Sequence, residues 1–455
     1  MSSFTSEAFS GKNRFLLRIA LIAAVGGFLF GYDTGIISGA QLYITKSLTV
    51  SDSQKQWIVG SLLVGAVIGA WVSSYLAERI GRKWTKVWSG TTYVVGGVVS
   101  AFAPNIAVLL GARFVLGLAV GTASFVSVEY ISEQVPARIR GGVTSFNQLM
   151  VTSGILVAYL VAAAFQNVSG TWRWMLGLSV VPGLVLALGM LTVPRSPRWL
   201  IAHGHEDEAR EVLSRSRSEQ EVEDEVQQMQ EAAGRSRDIR LRSLFTGRLR
   251  PLMLVGLALA VFQQLIGVNT VVYYSATILN DTGLSISGSV LRAVTVGITN
   301  VAFTILAIAL LDKVGRRALL LVGTVGATIS LVGLGLWFQL SSWQSATWLA
   351  LVFLLTFMAS FAVGLGPVFW LMISEIYPLG VRSRAMSVAT IANWAANFVI
   401  SFYFLALVKS IGEPATFWLY AGFGVIATAF FLAKVPETKD KTLEQIEAEL
   451  GADSR

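Results

Sequence analysis

The chain has 455 residues, of which 54% are hydrophobic and only 14% charged, with a net charge of +8 and a mean hydropathy of +0.64. This excludes an ordinary soluble globular protein, in which about a quarter of residues are charged. With no cysteine there are no disulfides, thiolate metal sites or haem attachments, and the two histidines, His203 and His205, lack the further ligands a metal would need.

Apolar runs long enough to cross about 30 Å of hydrocarbon recur from one end of the chain to the other. They are continuous, unlike the alternating strands of about ten residues that build a β-barrel. The expected class is therefore an all-α polytopic membrane protein. Twelve spans are predicted: 15–45, 55–79, 84–103, 106–131, 142–166, 172–193, 250–280, 287–312, 317–340, 345–376, 383–409 and 414–435. The first has no small-residue cleavage site and reads as a retained span, not a signal peptide.

Basic residues fall on one side of this arrangement. Arg79, Arg82, Lys83 and Lys86 lie between spans 2 and 3, Arg138 and Arg140 between 4 and 5, Lys313, Arg316 and Arg317 between 8 and 9, and Arg382 and Arg384 between 10 and 11. The stretch from Arg195 to Arg250 shares that side, whereas the opposite loops hold little beyond Lys46, Lys55 and Lys409. Positive-inside bias then makes this side, and both termini, cytoplasmic in a cell-membrane protein. The net charge reflects topology, and nucleic acid is not implied.

The chain reads as two six-span bundles, 1–195 and 250–436, joined by a cytoplasmic helical linker, 196–249, and followed by a tail, 437–455. "ERIGRK" after span 2 is echoed by "DKVGRR" after span 8, and "SEQVPARIRG" after span 4 by "SEIYPLGVRSRA" after span 10; "PRSPRWL" pairs loosely with "PETKDKTL". Six spans used twice in parallel are the plan of a transporter with its site between the halves. Gly81 and Gly315 permit tight turns, and the basic residues beside them can bond helix-end carbonyls or loop carboxylates. Arg82, Glu133, Arg140, Arg316, Glu375 and Arg382 form the expected cytoplasmic gate. The pairs Glu133/Arg140 and Glu375/Arg382 have the charge pattern of ties to the soluble 204–250 segment.

Asp33, in "GYDTGIISGA", is the one acidic residue well inside a span. A lone carboxylate in hydrocarbon costs about 2.5–3.5 kcal/mol or more, so it faces a cavity, finds a partner or is protonated. Arg113, seven positions into span 4, falls at similar depth and is the nominated partner. The pair reads as a proton switch, a carboxylate when paired and an acid when released; the alternative is a fixed salt bridge stapling span 1 to span 4.

Spans 7, 8, 10 and 11 carry Gln263, Gln264, Asn269, Tyr273, Tyr274, Asn300, Trp370, Asn393, Trp394 and Asn397, and the first half adds Phe30 and Gln148. Amides and indoles suit a neutral polyhydroxyl ligand, although any single amide can instead bond a neighbouring helix. Gln264 and Asn269, about 140° apart on an ideal helix, both point inward only if span 7 breaks near Gly267. Pro367 in "GLGPVFW" marks either a hinge beside Trp370 or a static kink.

With "GYDTGIISG", "RFVLGLAVG", "YISEQVPARIRG", "PRSPRWL", "QQLIGVNTVVYYS", "DKVGRR", "GPVFWLMISEIYPLGVRSRA" and "PETKDKTL" in this order, the chain resembles the sugar porter family of the major facilitator superfamily, in particular its bacterial proton-coupled monosaccharide symporters. It departs at Ser74, Glu78 and Arg195, where that family usually has Gly, Asp and Glu. The resemblance implies sugar contacts at Phe30, Gln148, Gln263, Gln264, Asn269, Tyr273, Asn300, Trp370, Asn393 and Trp394. It also implies proton coupling through Asp33, since facilitators of the family have a neutral residue there. The expectation is a monomeric symporter for a monosaccharide or polyol, with no cofactor. An uncoupled facilitator and a membrane sugar sensor are the alternatives. A drug antiporter would lack the amide set, and no signature of catalysis is present.

Overall fold

The computed structural model describes residues 11–135, 140–236, 244–247, 249–378, 381–439, 441 and 445–446, and among them there is helix and no strand. The crossing helices, numbered as the spans above, are Gly11–Ser47, Asp52–Arg79, Gly81–Ala101, Ile106–Gln134 and Arg140–Phe165, then a sixth in two pieces, Thr171–Gly177 and Val180–Leu191. In the second half they are a broken seventh, Leu249–Leu265 and Val268–Asp281, then Ile286–Val314 and Arg316–Gln339, a broken tenth, Thr347–Val363 and Leu365–Glu375, and finally Arg382–Phe402 and Phe404–Lys434.

Among the described residues, eleven of these segments are long and apolar enough to cross a membrane. The exception is span 3, Gly81–Ala101, whose polar side chains are turned inward: Arg82, Thr85, Lys86, Ser89, Tyr93 and Ser100 are all buried, while Val95, Val98 and Val99 face out. Its mean hydropathy is low because one face serves the interior of the first half. The boundary between spans 11 and 12 also differs from expectation. Residues 404–411 form a helical extension beyond span 11, and the chain turns at Gly412 (φ 82°) just before Pro414, whose ring disfavours a helix interior.

The glycines of "VGGFLFGYDTGIISG" have a packing purpose. Gly27, Gly31, Gly35 and Gly39 recur every fourth residue and lie against span 5; a Cβ at Gly31 would stand 1.8 Å from the Val151 carbonyl oxygen. Such small-residue stripes let two helix backbones approach closely. Asp33, two positions beyond Gly31, is rotated by about 200° and points away from span 5, toward span 4.

In the linker, helices Pro197–Ala202, Glu206–Ser214 and Glu219–Ser236 enclose small apolar clusters of their own, built on Leu200, Ala209 and Val212 and on Leu213, Val222 and Val226. The linker docks on the end of span 4, where the buried Arg217 donates to the Gln134 carbonyl (3.3 Å) and to Glu225 (2.8 Å).

Candidate functional site

A small cavity of about 30 Å³, room for a water-sized group and not for a whole sugar in this closed arrangement, lies between the halves. Its lining includes eight of the expected sugar contacts: Phe30, Gln148, Gln263, Gln264, Asn269, Asn300, Trp370 and Asn393. Thr34 also lines it, one residue beyond Asp33.

Span 7 breaks where expected. Gly267 adopts φ 90°, and a Cβ there would meet the Tyr420 ring at 2.4 Å. The break puts Asn269 beside Gln264, its Nδ2 donating to Gln264 Oε1 at 2.8 Å. Gln264 Nε2 donates to Asn393 Oδ1 (3.1 Å) and Gln263 Oε1 (3.2 Å), and Asn393 Nδ2 donates to Gln263 Oε1 (2.7 Å) and the Ala260 carbonyl (2.9 Å). Four amides from spans 7 and 11 thus form one connected network on the cavity wall. Gly267→Ala is expected to cost about 1–2 kcal/mol from backbone handedness alone. With the Tyr420 clash added, sugar binding should fall even where protein is recovered; unchanged equilibrium binding to the purified variant would contradict this.

Two expected contacts lie off the lining. Trp394 is buried behind Phe30, ring centroids 4.9 Å apart, and its Nε1 donates to Ser124 Oγ of the first half at 3.2 Å. Tyr273 is fully buried on the seam between the halves.

Asp33 and Arg113 meet. Arg113 Nη1 donates to both carboxylate oxygens (3.0 and 2.9 Å) and Nε to the Ile58 carbonyl of span 2 (3.0 Å), with both side chains essentially inaccessible. The pair joins spans 1, 2 and 4.

The motifs after spans 2 and 8 build the same device twice. Arg82, after Gly81 (φ 84°), donates to the Ala77 carbonyl five residues back (3.1 Å) and to Glu129 and Glu133 (2.9 Å each). Arg316, after Gly315 (φ 97°), donates to the Leu311 carbonyl (3.1 Å) and to Glu375 (3.2 Å). Glu133 and Glu375 each accept a further bond, from a hydroxyl of the segment that follows its half, Ser196 and Thr438 (2.6 Å) respectively. The "PRSPRWL" and "PETKDKTL" stretches therefore play matching parts. Glu133 is tied to Arg82, and Glu375 to Arg316 and not to Arg382. Arg382 Nε donates to the Tyr377 carbonyl (3.0 Å), and the Arg140 side chain lies outside the described residues. Among the described residues, a tie to the soluble segment runs through Arg217 and Gln134.

The family profile described as "Sugar (and other) transporter" matches residues 19–450. The chain belongs to the sugar transporter family. It is 39% identical to the D-xylose transporter of Levilactobacillus brevis, over 95% of both chains, and 36% identical to the galactose-proton symporter of Escherichia coli K12, over 95% of this chain and 94% of that one. Among solved structures, the major facilitator superfamily proton:xylose symporter XylE bound to 6-bromo-6-deoxy-D-glucose superposes with a TM-score of 0.86 at 32% identity, covering 96% of this chain and all of the other. The protein is a multi-pass membrane transporter of the two-bundle, twelve-helix type, not an enzyme.

One buried cation of this sugar transporter escaped the sequence. Lys86, counted above as a loop residue, is wholly buried in the first half, its Nζ bonded to the Ala23 carbonyl of span 1 and to Ser127 Oγ of span 4 (2.8 Å). The signal was its spacing, four residues after Arg82 on the same helix face. No carboxylate pairs with it among the described residues, so its desolvation, which costs several kcal/mol per buried ion, is offset only by neutral acceptors. Lys86→Met should therefore hold or raise the unfolding temperature in detergent; a fall would make the lysine a structural tie.

Glu437 closes the turn between spans 8 and 9, accepting the backbone N–H groups of Arg316 (2.9 Å), Arg317, Thr438 and Lys439 (3.0 Å each). Partial burial disfavours its charge, but these four donors outweigh burial and hold the carboxyl below the usual range. A depressed pKa gives a contribution that is complete above the unfolded value of about 4.3 and lost as pH falls through the folded one. Protection of the amides of residues 316 and 317, relative to intrinsic exchange at each pH, should hold above about pH 4.3 and fall on further acidification, a step that Glu437→Gln abolishes.

Proposed function

We propose that this sugar transporter is a proton-coupled symporter, carrying a hexose, a pentose or a related polyol into the cell by alternating access, as a monomer with both termini cytoplasmic. The observation that carries this reading is the fully buried Asp33–Arg113 pair, one residue from a wall of the cavity. An intramembrane ion pair beside a ligand cavity is the arrangement expected of a proton relay. Two relatives bearing the name of a proton symporter, one for galactose and one for xylose, support the same reading.

In this mechanism Asp33 is the proton acceptor and Arg113 its counter-charge. Gln263, Gln264, Asn269 and Asn393 bond the sugar hydroxyls, with Gln148 and Asn300 opposite them, while Phe30 and Trp370 cover C–H faces. Protonation of Asp33 from outside cancels its attraction for Arg113, and the halves 1–195 and 250–436 close over the sugar. Opening inward then requires the clusters around Arg82 and Arg316 to release. Each contains a glutamate shared between an arginine and a hydroxyl from another segment, so the two clasps are cooperative where isolated exposed pairs would contribute only about 0–1 kcal/mol.

Uptake of a panel of radiolabelled hexoses, pentoses and cyclitols into energised vesicles, with and without a protonophore, tests this. The reading expects one or a few sugars to accumulate and the protonophore to reduce them to equilibration. Accumulation that persists under the protonophore refutes proton coupling, and equilibration alone in energised vesicles assigns the chain to facilitators.

A further inference from the structure

A polar node on the seam between the halves belongs neither to the amide network nor to the charge pair. Tyr273, on the outer arm of span 7, faces Asn397 of span 11 and Thr34 of span 1, and lies within electrostatic range of Asp33 and Arg113. Its hydroxyl nonetheless closes no hydrogen bond of good geometry among the described residues. Asn397 Nδ2 and Arg113 Nη2 are likewise buried without an acceptor. The Asn397 amide is oriented by Ser401, whose hydroxyl donates to its Oδ1 (3.0 Å), and the Thr34 hydroxyl is turned back onto the Phe30 carbonyl (2.7 Å).

The other ionisable groups facing Asp33 sharpen the contrast. Besides Arg113 from span 4 they are its neighbour Tyr32 and Tyr93 from span 3. The Tyr32 hydroxyl donates to the Met175 carbonyl (2.9 Å) and the Tyr93 hydroxyl to the Leu29 carbonyl (3.3 Å). Both are committed to backbone. Of the three phenols around the pair, Tyr273 alone has a hydroxyl free to take part in exchange, and it alone comes from the second half. Buried donors that the protein leaves without an acceptor are satisfied by ordered water.

We propose that water held by Tyr273 and Asn397 connects the sugar cavity, past Thr34, to the Asp33–Arg113 pair, and that the Tyr273 hydroxyl relays the proton that reaches Asp33. This rests on the symport reading above. A proton arriving from the cavity adds to the first water oxygen, which passes one of its own protons onward. At the far end an O–H bond of the last carrier breaks as an O–H bond forms on an Asp33 carboxylate oxygen. Every water and the phenol recover their original hydrogens, Asp33 becomes a neutral acid, Arg113 loses its counter-charge, and no electron changes hands.

Proton and sugar then share one entrance, which gives coupling a mechanical basis. The outer arm of span 7 is held to the first half by the Tyr159 hydroxyl, which donates to the Val272 carbonyl (2.9 Å), and by the Ala276 N–H, which donates to Ser38 Oγ (3.0 Å). Closing that arm over the sugar carries Tyr273 to the pair in the same movement.

The test uses the full chain in proteoliposomes, reading sugar-driven proton uptake from the external pH and sugar exchange from labelled sugar at equal concentrations on both sides. Tyr273→Phe and Asn397→Leu should each lower the ratio of proton-coupled uptake to exchange by about tenfold or more, and Tyr273→Phe should enlarge the solvent isotope effect on coupled uptake alone. A ratio and isotope effect equal to the unaltered protein's in both variants, including a parallel fall of both activities, overturns the relay while leaving symport standing. An unaltered protein that moves sugar with no proton uptake overturns symport and the relay together.

Discussion

Asp33→Asn is expected to abolish accumulation while leaving exchange. The amide is nearly isosteric with the protonated acid and can still accept a hydrogen bond from Arg113, so the variant is held in the state that proton binding creates. One pH unit corresponds to 1.36 kcal/mol, about a tenfold concentration ratio, so at one proton per sugar the unaltered protein concentrates up to about tenfold per unit of pH gradient with the membrane potential clamped. The variant should stop at a ratio of about one, because a group that cannot lose a proton draws no free energy from the gradient. Equilibrium exchange crosses the membrane without discharging the proton and should keep much of its rate. Concentrative uptake by Asp33→Asn would place the coupling group elsewhere. Loss of exchange as well would reduce the pair to a staple between spans 1 and 4, since an uncharged residue opposite Arg113 leaves a buried cation uncompensated.

How much of this was legible in the sequence depends on whether a feature is local or needs a partner. The twelve spans, the doubled motifs and the break at Gly267 are local, and periodicity, composition and one residue's backbone freedom expose them. The Asp33–Arg113 pair was legible because two rare intramembrane charges at equal depth have few other partners. Lys86 was not, because a cation four residues after a loop arginine looks like topology punctuation until the fold shows that face of span 3 turned inward. The glutamates were found, but not their ties to Arg82 and Arg316, which sit on other helices 51 and 59 residues away. That Tyr273 and Trp394 lie off the cavity lining is a matter of side-chain direction, which composition does not show. One lies on the seam, the other behind Phe30.

The amide network carries the second large effect. Gln264 is its hub, donating to Asn393 and Gln263 and accepting from Asn269. A sugar hydroxyl that enters must substitute for one of these bonds, so the exchange is close to neutral and affinity comes from the geometry the network imposes. Truncating the hub in Gln264→Ala removes a partner from three amides at once, and a buried polar group left unsatisfied costs about 1–3 kcal/mol, or roughly 5- to 150-fold in apparent KM. Loss of affinity alone does not separate contact with sugar from collapse of the wall, but deoxy analogues do. The unaltered protein should lose about tenfold or more for the analogue lacking the hydroxyl that Gln264 binds, whereas Gln264→Ala should lose nothing further for that analogue and the usual factor for the others. If every deoxy analogue costs the variant as much as it costs the unaltered protein, Gln264 does not touch the sugar and the network serves only to join spans 7 and 11.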